Sequence, residues 1–258
     1  MNFFSNNRRL IITLIIFLFS GFATNVIAQQ LQTHSGPISS DETWLSSEIH
    51  RVSGSVTVAG GVTLTIEPGA IVKFDSNTSL QINGVLVAEG DNSNNIIFTS
   101  YRDDSVGGDT NGDGDSVGQP GDWYYLGFSN STTSSLVVMD HVEIRYSGSN
   151  YYGSLYINQA DIAVTNSAIL DSGGRGITIT NASPYLGNNR IERSASAGIY
   201  VDGGGSSPTI HSNGIRNNNA SGVHSRYANV TLTDNTIEGN GNWGFYAFDT
   251  NGTNVLTG

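Results

Sequence analysis

The chain has no cysteine, which excludes a disulfide framework and a lipid anchor attached through an N-terminal Cys. Lysine occurs once, at Lys73, and charged residues make up only 13% of the sequence. What charge there is leans acidic, with 11 Lys and Arg against 22 Asp and Glu. Such a surface offers no electrostatic footprint for nucleic acid and is repelled by anionic lipid. Helical periodicity is missing too, because no apolar pattern recurs every 3.6 residues. The one long apolar run, Leu10 to Phe19, follows Arg8 and Arg9 and precedes Val26 to Ala28, small or aliphatic residues of the kind a signal peptidase reads. Residues 1–28 are therefore expected to be a secretory signal peptide, too short in its apolar part for a stable membrane span. Its removal leaves nine basic side chains against the 22 acidic ones, a net charge of −13. No later segment is apolar enough to cross a membrane. The expected product is secreted or extracellular, with the periplasm as the alternative destination.

Glycine is abundant, at 32 residues, and Asn and Ser fill much of the rest. That composition usually means turns or disorder, but apolar residues return on a fixed schedule. A Gly-apolar step falls at Gly176-Ile177, Gly198-Ile199, Gly222-Val223 and Gly244-Phe245. A second column holds Ile169, Ile191, Ile215 and Ile237, and a third Val164, Leu186, Ile210 and Leu232. All three repeat every 22 to 24 residues. Three short apolar stretches per unit, each bounded by Gly, Asn, Ser or Pro, predict three strands and three turns. Stacked units place each strand about 4.8 Å from its counterpart, giving an all-β parallel solenoid with three short strands per coil of about 22 residues. Ser167, Asn189, Asn213 and Asn235 precede the Ile column by two positions and are expected to stack as a hydrogen-bonded ladder.

At these residues the chain resembles right-handed parallel β-helix repeat proteins of the pectate-lyase-like fold superfamily. The stretches Val56 to Phe74, Leu80 to Gly90 and Asn95 to Ser100 resemble the opening coils of secreted bacterial members. The expected organisation is a lead-in or cap over 29–48 and a β-helix over 49–258, interrupted by an acidic loop insertion at 101–122. The final "NGTNVLTG" shows no capping element. The expectation is that the sequence belongs to a longer protein or packs its end against a partner. The resemblance implies a scaffold shared by lyases, glycoside hydrolases, epimerases, adhesins and passenger modules, so function must come from a site.

Two candidate sites stand out. The insertion holds Asp103, Asp104, Asp109, Asp113, Asp115 and Asp122, and its "DTNGDGD" puts oxygen side chains at alternate positions, as in the first half of a Ca²⁺ loop. Pro120 stands where the bidentate Glu of an EF-hand would be. A structural Ca²⁺ on Asp109, Asn111, Asp113, Asp115 and Asp122 is the expectation, against a solvated acidic loop as the plain alternative. The second site is a column. Alternation along the strand after each Gly sends Tyr156, Thr178, Tyr200, His224 and Tyr246 outward, at spacings of 22, 22, 24 and 22. Such a row suits the apolar faces of pyranose rings, with Tyr151, Tyr152, Tyr227 and Trp243 close in sequence. Packing between neighbouring coils is the alternative role.

No catalytic residue can be assigned. Glu192, Arg216 and Glu238 should stack outward on successive coils, and the two glutamates about 10 Å apart would approach the spacing of an inverting hydrolase. Arg216 between them predicts a charge ladder instead. Arg175, Arg190, Arg193, Arg216 and Arg226 fit no lyase motif, and His141, His211 and His224 show no nucleophile partner. Three functions remain: a non-catalytic module binding carbohydrate or a cell surface, a polysaccharide lyase or glycoside hydrolase, and a structural stalk or passenger. No nucleic-acid partner is expected.

Overall fold

A computed structural model describes residues 29–149, 151–248 and 254–258. The expected signal peptide lies outside the described residues. The described chain is an all-β parallel solenoid of about 10 turns with about 22 residues per turn. Its only helical element among the described residues is one 3₁₀ turn, Ser134–Leu136. No helix there is long and apolar enough to cross a membrane.

Each regular coil contributes one strand to each of three faces. The first face runs from Glu42–Trp44 through Thr63–Ile66 and Val85–Glu89 to Thr231–Thr233 and Val255–Thr257. The second runs from Ile71–Phe74 through Ile96–Ser100 to Thr236–Glu238, and the third from Leu80–Ile82 through Leu126–Phe128 to Phe245–Phe248. The long strand Glu48–Val58 belongs to the second face with its first half and to the third with its second, and Gln30–Ile38 lies parallel against it as the N-terminal cover. Glu42–Trp44 already pairs in register with Leu64 to Ile66, so the first face begins ahead of Ile49.

Register carries the sequence columns into space. Ile169, Ile191, Ile215 and Ile237 are consecutive partners on the second face, Ile177, Ile199, Val223 and Phe245 on the third, and Val164, Leu186, Ile210 and Leu232 on the first. Three columns meeting along one axis make a continuous apolar core. Each fully buried aliphatic contributes about 1.5–3 kcal/mol, and a coil alone buries none of it, so stability comes from stacking. At the far end Leu256 continues the first column and is exposed.

The abundance of Asn and Asp has two separate explanations. Single left-handed residues turn each corner, with φ between 48 and 57°: Asn166, Asn188, Ser212 and Asp234 after the first face, Asp171, Arg193 and Asn217 after the second, and Gln159, Asn181 and Tyr227 after the third. Asn and Asp tolerate that conformation better than other non-glycine residues. The others form ladders inside the corners. Asn189 accepts a bond from the Ser167 N–H (2.9 Å) and donates to Val164 O (2.8 Å); Asn213 does the same for Asn189 N–H and Leu186 O, and Asn235 for Asn213 N–H and Ile210 O. A second ladder follows the second face. Asn218 binds Ser194 N–H and Ile191 O, and Asn240 binds Asn218 N–H and Ile215 O. Buried backbone groups at the bends are thereby satisfied.

Candidate functional site

The insertion at 101–122 folds back over the outer side of the second face. Lys73, fully buried beneath it, donates to Gly108 O (2.8 Å) and Thr110 Oγ1 (3.0 Å). Asp103, also fully buried, meets the Arg145 guanidinium at 2.6 Å and accepts from Thr99 Oγ1 and Ser105 Oγ. Burial pushes the Asp103 carboxyl up, but the hydroxyls of Ser105 and Thr99 and the Arg145 charge outweigh it and hold the group below the usual carboxylate range. Burial lowers Lys73, opposed by Asp104, Asp103 and Asp109. Two cations thus already lie under the acidic loop.

Of the residues expected to hold Ca²⁺, Asp109 and Asp113 converge, and their third partner is Asp104; ligand oxygens of the three lie within 4.8 Å of one another. Asp109 accepts the N–H groups of Gly112 and Gly114, and Asn111 that of Asp113. Asp122 is engaged elsewhere, by Ser100 Oγ and Gln119 N–H, and Asp115 is outside the trio. Asp104 Oδ1 is buried without a hydrogen-bond partner, so the oxygen donor set fits a hard divalent cation.

On the third face, the outward column has the register expected of it: Tyr156, Thr178, Tyr200, His224 and Tyr246 are successive partners. Its exposure is uneven. Thr178 and Tyr200 are buried, Tyr200 being only 6% exposed. The cover is Arg175, whose guanidinium sits 3.5 Å from the Tyr200 ring centroid and 4.4 Å from that of Tyr151. Tyr200, His224 and Tyr246 then meet edge to face, with centroids 5.0 Å apart at each step. Burial, reinforced by Arg175, lowers His224 below its ordinary value, so its imidazole is neutral at pH 7.

Open ring surface lies at the two ends of this column. At one end Tyr125, Tyr151, Tyr152 and Tyr156 form a cluster with centroids 4.6–6.2 Å apart. Gly127 makes it possible, since a Cβ there would sit 2.8 Å from the Tyr125 ring. At the other end Trp243, 65% exposed, and Tyr246 border a cleft of about 250 Å³ completed by Ala220, Ser221, His224 and Asn242. Between the two, Arg175 and Arg226 form no ion pair among the described residues, and neither does Arg102 in the insertion, whereas Arg51, Arg145, Arg190, Arg193 and Arg216 are all ion-paired. Arg175 Nη1 is buried without a hydrogen-bond partner, and Arg226 packs on the Tyr227 ring at 4.9 Å. Trp243, Tyr151 and Tyr152 thus carry more accessible ring surface than Tyr200.

The carboxylates of the second face are engaged. Glu192, Arg216 and Glu238 stack in that order, with Glu238 2.9 Å from Arg216 and Glu192 3.0 Å from Arg193.

A family model described as a right handed beta helix region matches residues 124–258. No curated protein and no solved structure matches the chain. With more than half of its length matched and three parallel faces in register, the chain belongs to the right-handed β-helix family.

Proposed function

We propose that this protein is an exported, non-catalytic module that holds an extended glycan along its third face. The supporting observation is the pairing of open aromatic surface at both ends of one ladder with two arginines that form no ion pair among the described residues. Tyr156 and Tyr246 are four coils apart, about 19 Å, enough for a short oligosaccharide. Ring faces of Trp243, Tyr246, Tyr151 and Tyr152 cover apolar sugar faces, and Arg175 and Arg226 hold hydroxyl or acidic substituents. Tyr200 and His224 work from behind, fixing Arg175 and Tyr246.

Retention on a panel of neutral and uronate-bearing polysaccharides tests this reading, with new reducing or unsaturated ends followed in parallel. Replacing Trp243 and Tyr246 with Ala removes two stacking surfaces worth about 1 kcal/mol each, so retention on the preferred glycan falls about 10- to 30-fold. Unchanged retention in a folded double variant refutes the site, and new chain ends would replace binding with cleavage.

The buried, unpartnered Asp104 Oδ1 favours a second element of the reading, a Ca²⁺ ion held by Asp104, Asp109 and Asp113 that orders the insertion. Calcium then raises the melting temperature of the protein, and Asp104→Asn removes that rise. Calorimetry without heat at millimolar calcium refutes it.

A further inference from the structure

At the opposite end of the solenoid, two histidines meet on strands that no repeat relates. His34 lies on the covering strand Gln30–Ile38 and His50 on Glu48–Val58, with Nε2 of the first 3.0 Å from Nδ1 of the second. His50 is 1% exposed and its Nε2 lies 3.0 Å from Leu45 O. A carbonyl can only accept, so that nitrogen carries a proton and the neutral ring presents a bare Nδ1. His34 Nε2–H therefore donates to it. The remaining nitrogen, His34 Nδ1, is bare and 3.5 Å from Glu42 Oε1. Both rings pack on Trp44, His34 at 4.3 Å and His50 stacked at 5.1 Å.

We infer that His34 and His50 form an acid-sensitive latch that holds the N-terminal strand over the first coil. The cluster has a place for one proton, on His34 Nδ1, where Glu42 becomes its ion partner. A second has only His50 Nδ1 to occupy, and two N–H groups would then point at each other across 3.0 Å. The charged groups facing the pair are Glu42 from the first face and Glu48 from the His50 strand. Glu42 also accepts from Trp44 Nε1 and Glu48 from Gln32 Nε2. Burial is the first cause that lowers both imidazoles from 6.5, with His50 adding to it at His34 and the two glutamates opposing. A depressed histidine stabilises the fold fully above its unfolded value, and that contribution is lost as pH falls below it. The window is therefore the acidic side of 6.5. Opening uncovers the edge of Glu48–Val58 and the Trp44 ring, leaving a row of unpaired backbone groups able to accept another strand.

Amide hydrogen exchange of the whole protein, corrected for intrinsic rates, tests the latch. Between about pH 7.5 and pH 5, protection over residues 30–38 should fall about tenfold or more. Taking up one proton on opening favours the open state by about that factor for each step of one in pH below the ordinary histidine value. The buried strand Ile177–Thr180 should keep its protection and serves as the internal reference. No loss at 30–38, or an equal loss at both strands, overturns the proposal. His50→Gln has no charge to gain and should keep 30–38 equally protected at both pH values, while loosening in acid would overturn it. If that variant is already loose at neutral pH, the imidazole ¹⁵N shifts of the unaltered protein decide. His50 charging only below the ordinary histidine value, and after His34, supports the latch, and both charging together at the ordinary value refutes it.

Discussion

The coils before residue 129 and those after residue 154 keep the same three-faced path with different interiors. In the first region the six largest fully buried side chains are Trp44, Trp123, Lys73, Phe74, Phe98 and Phe128. Phe74 and Trp123 stack at 3.9 Å, and Trp123 Nε1 donates to Arg145 O. The insertion, the latch strand and the 11-residue strand Glu48–Val58 all belong here. In the second region the interior is mainly Ile, Leu and Val in columns, with Phe245 last in the third and asparagine ladders at the bends. One region is held by individual fitted pieces and the other by a rule repeated coil after coil. The family match, residues 124–258, contains the whole of the second region.

Trp123→Ala should give the largest effect. It removes a fully buried indole and its stack on Phe74, a loss of about 3–5 kcal/mol in denaturant titration, with hydrogen exchange rising mainly around Phe74, Phe98 and the insertion. Equal loosening of the strands after residue 154 would erase the distinction between the regions. Asn189→Ala comes next. It strands the buried Ser167 N–H and Val164 O, about 2–3 kcal/mol together, and should loosen the coils on either side of it. Asn188→Ala gives the smallest effect. This neighbour is exposed, with φ at 56°, so alanine costs about 1 kcal/mol there and glycine changes stability by less than about 0.5 kcal/mol. Equal costs at Asn188 and Asn189 would show that asparagine has one job in this chain instead of two.

The interior columns and the Asn189–Asn213–Asn235 ladder were legible in the sequence because they obey the 22- to 24-residue schedule. The second ladder obeys it as well, through Ser172, Ser194, Asn218 and Asn240. It does not stand out in the sequence because Ser and Asn are so common that one more polar column has no contrast with its surroundings. The outward column was legible in position and not in exposure. Arg175 comes from the bend before Ile177 and covers Tyr200 sideways, and strand alternation says nothing about lateral cover. Asp104 as the third member of the acidic trio was invisible for a similar reason, since it is brought back by the fold of the insertion, outside the "DTNGDGD" spacing. The histidine pair has no repeat behind it, and two residues 16 apart on unequal strands leave no periodic signal.

Each ladder asparagine reaches backwards. Asn213 serves Asn189 N–H and Leu186 O, both in the coil before its own. A gene segment encoding one whole coil can therefore be copied or lost between two others without creating a new kind of contact, because the incoming coil brings the groups its predecessor needs and leaves the same vacancy for its successor. Lineages carrying this design should differ in length by whole coils within the laddered half, and by irregular amounts where the aromatic pieces are fitted one by one.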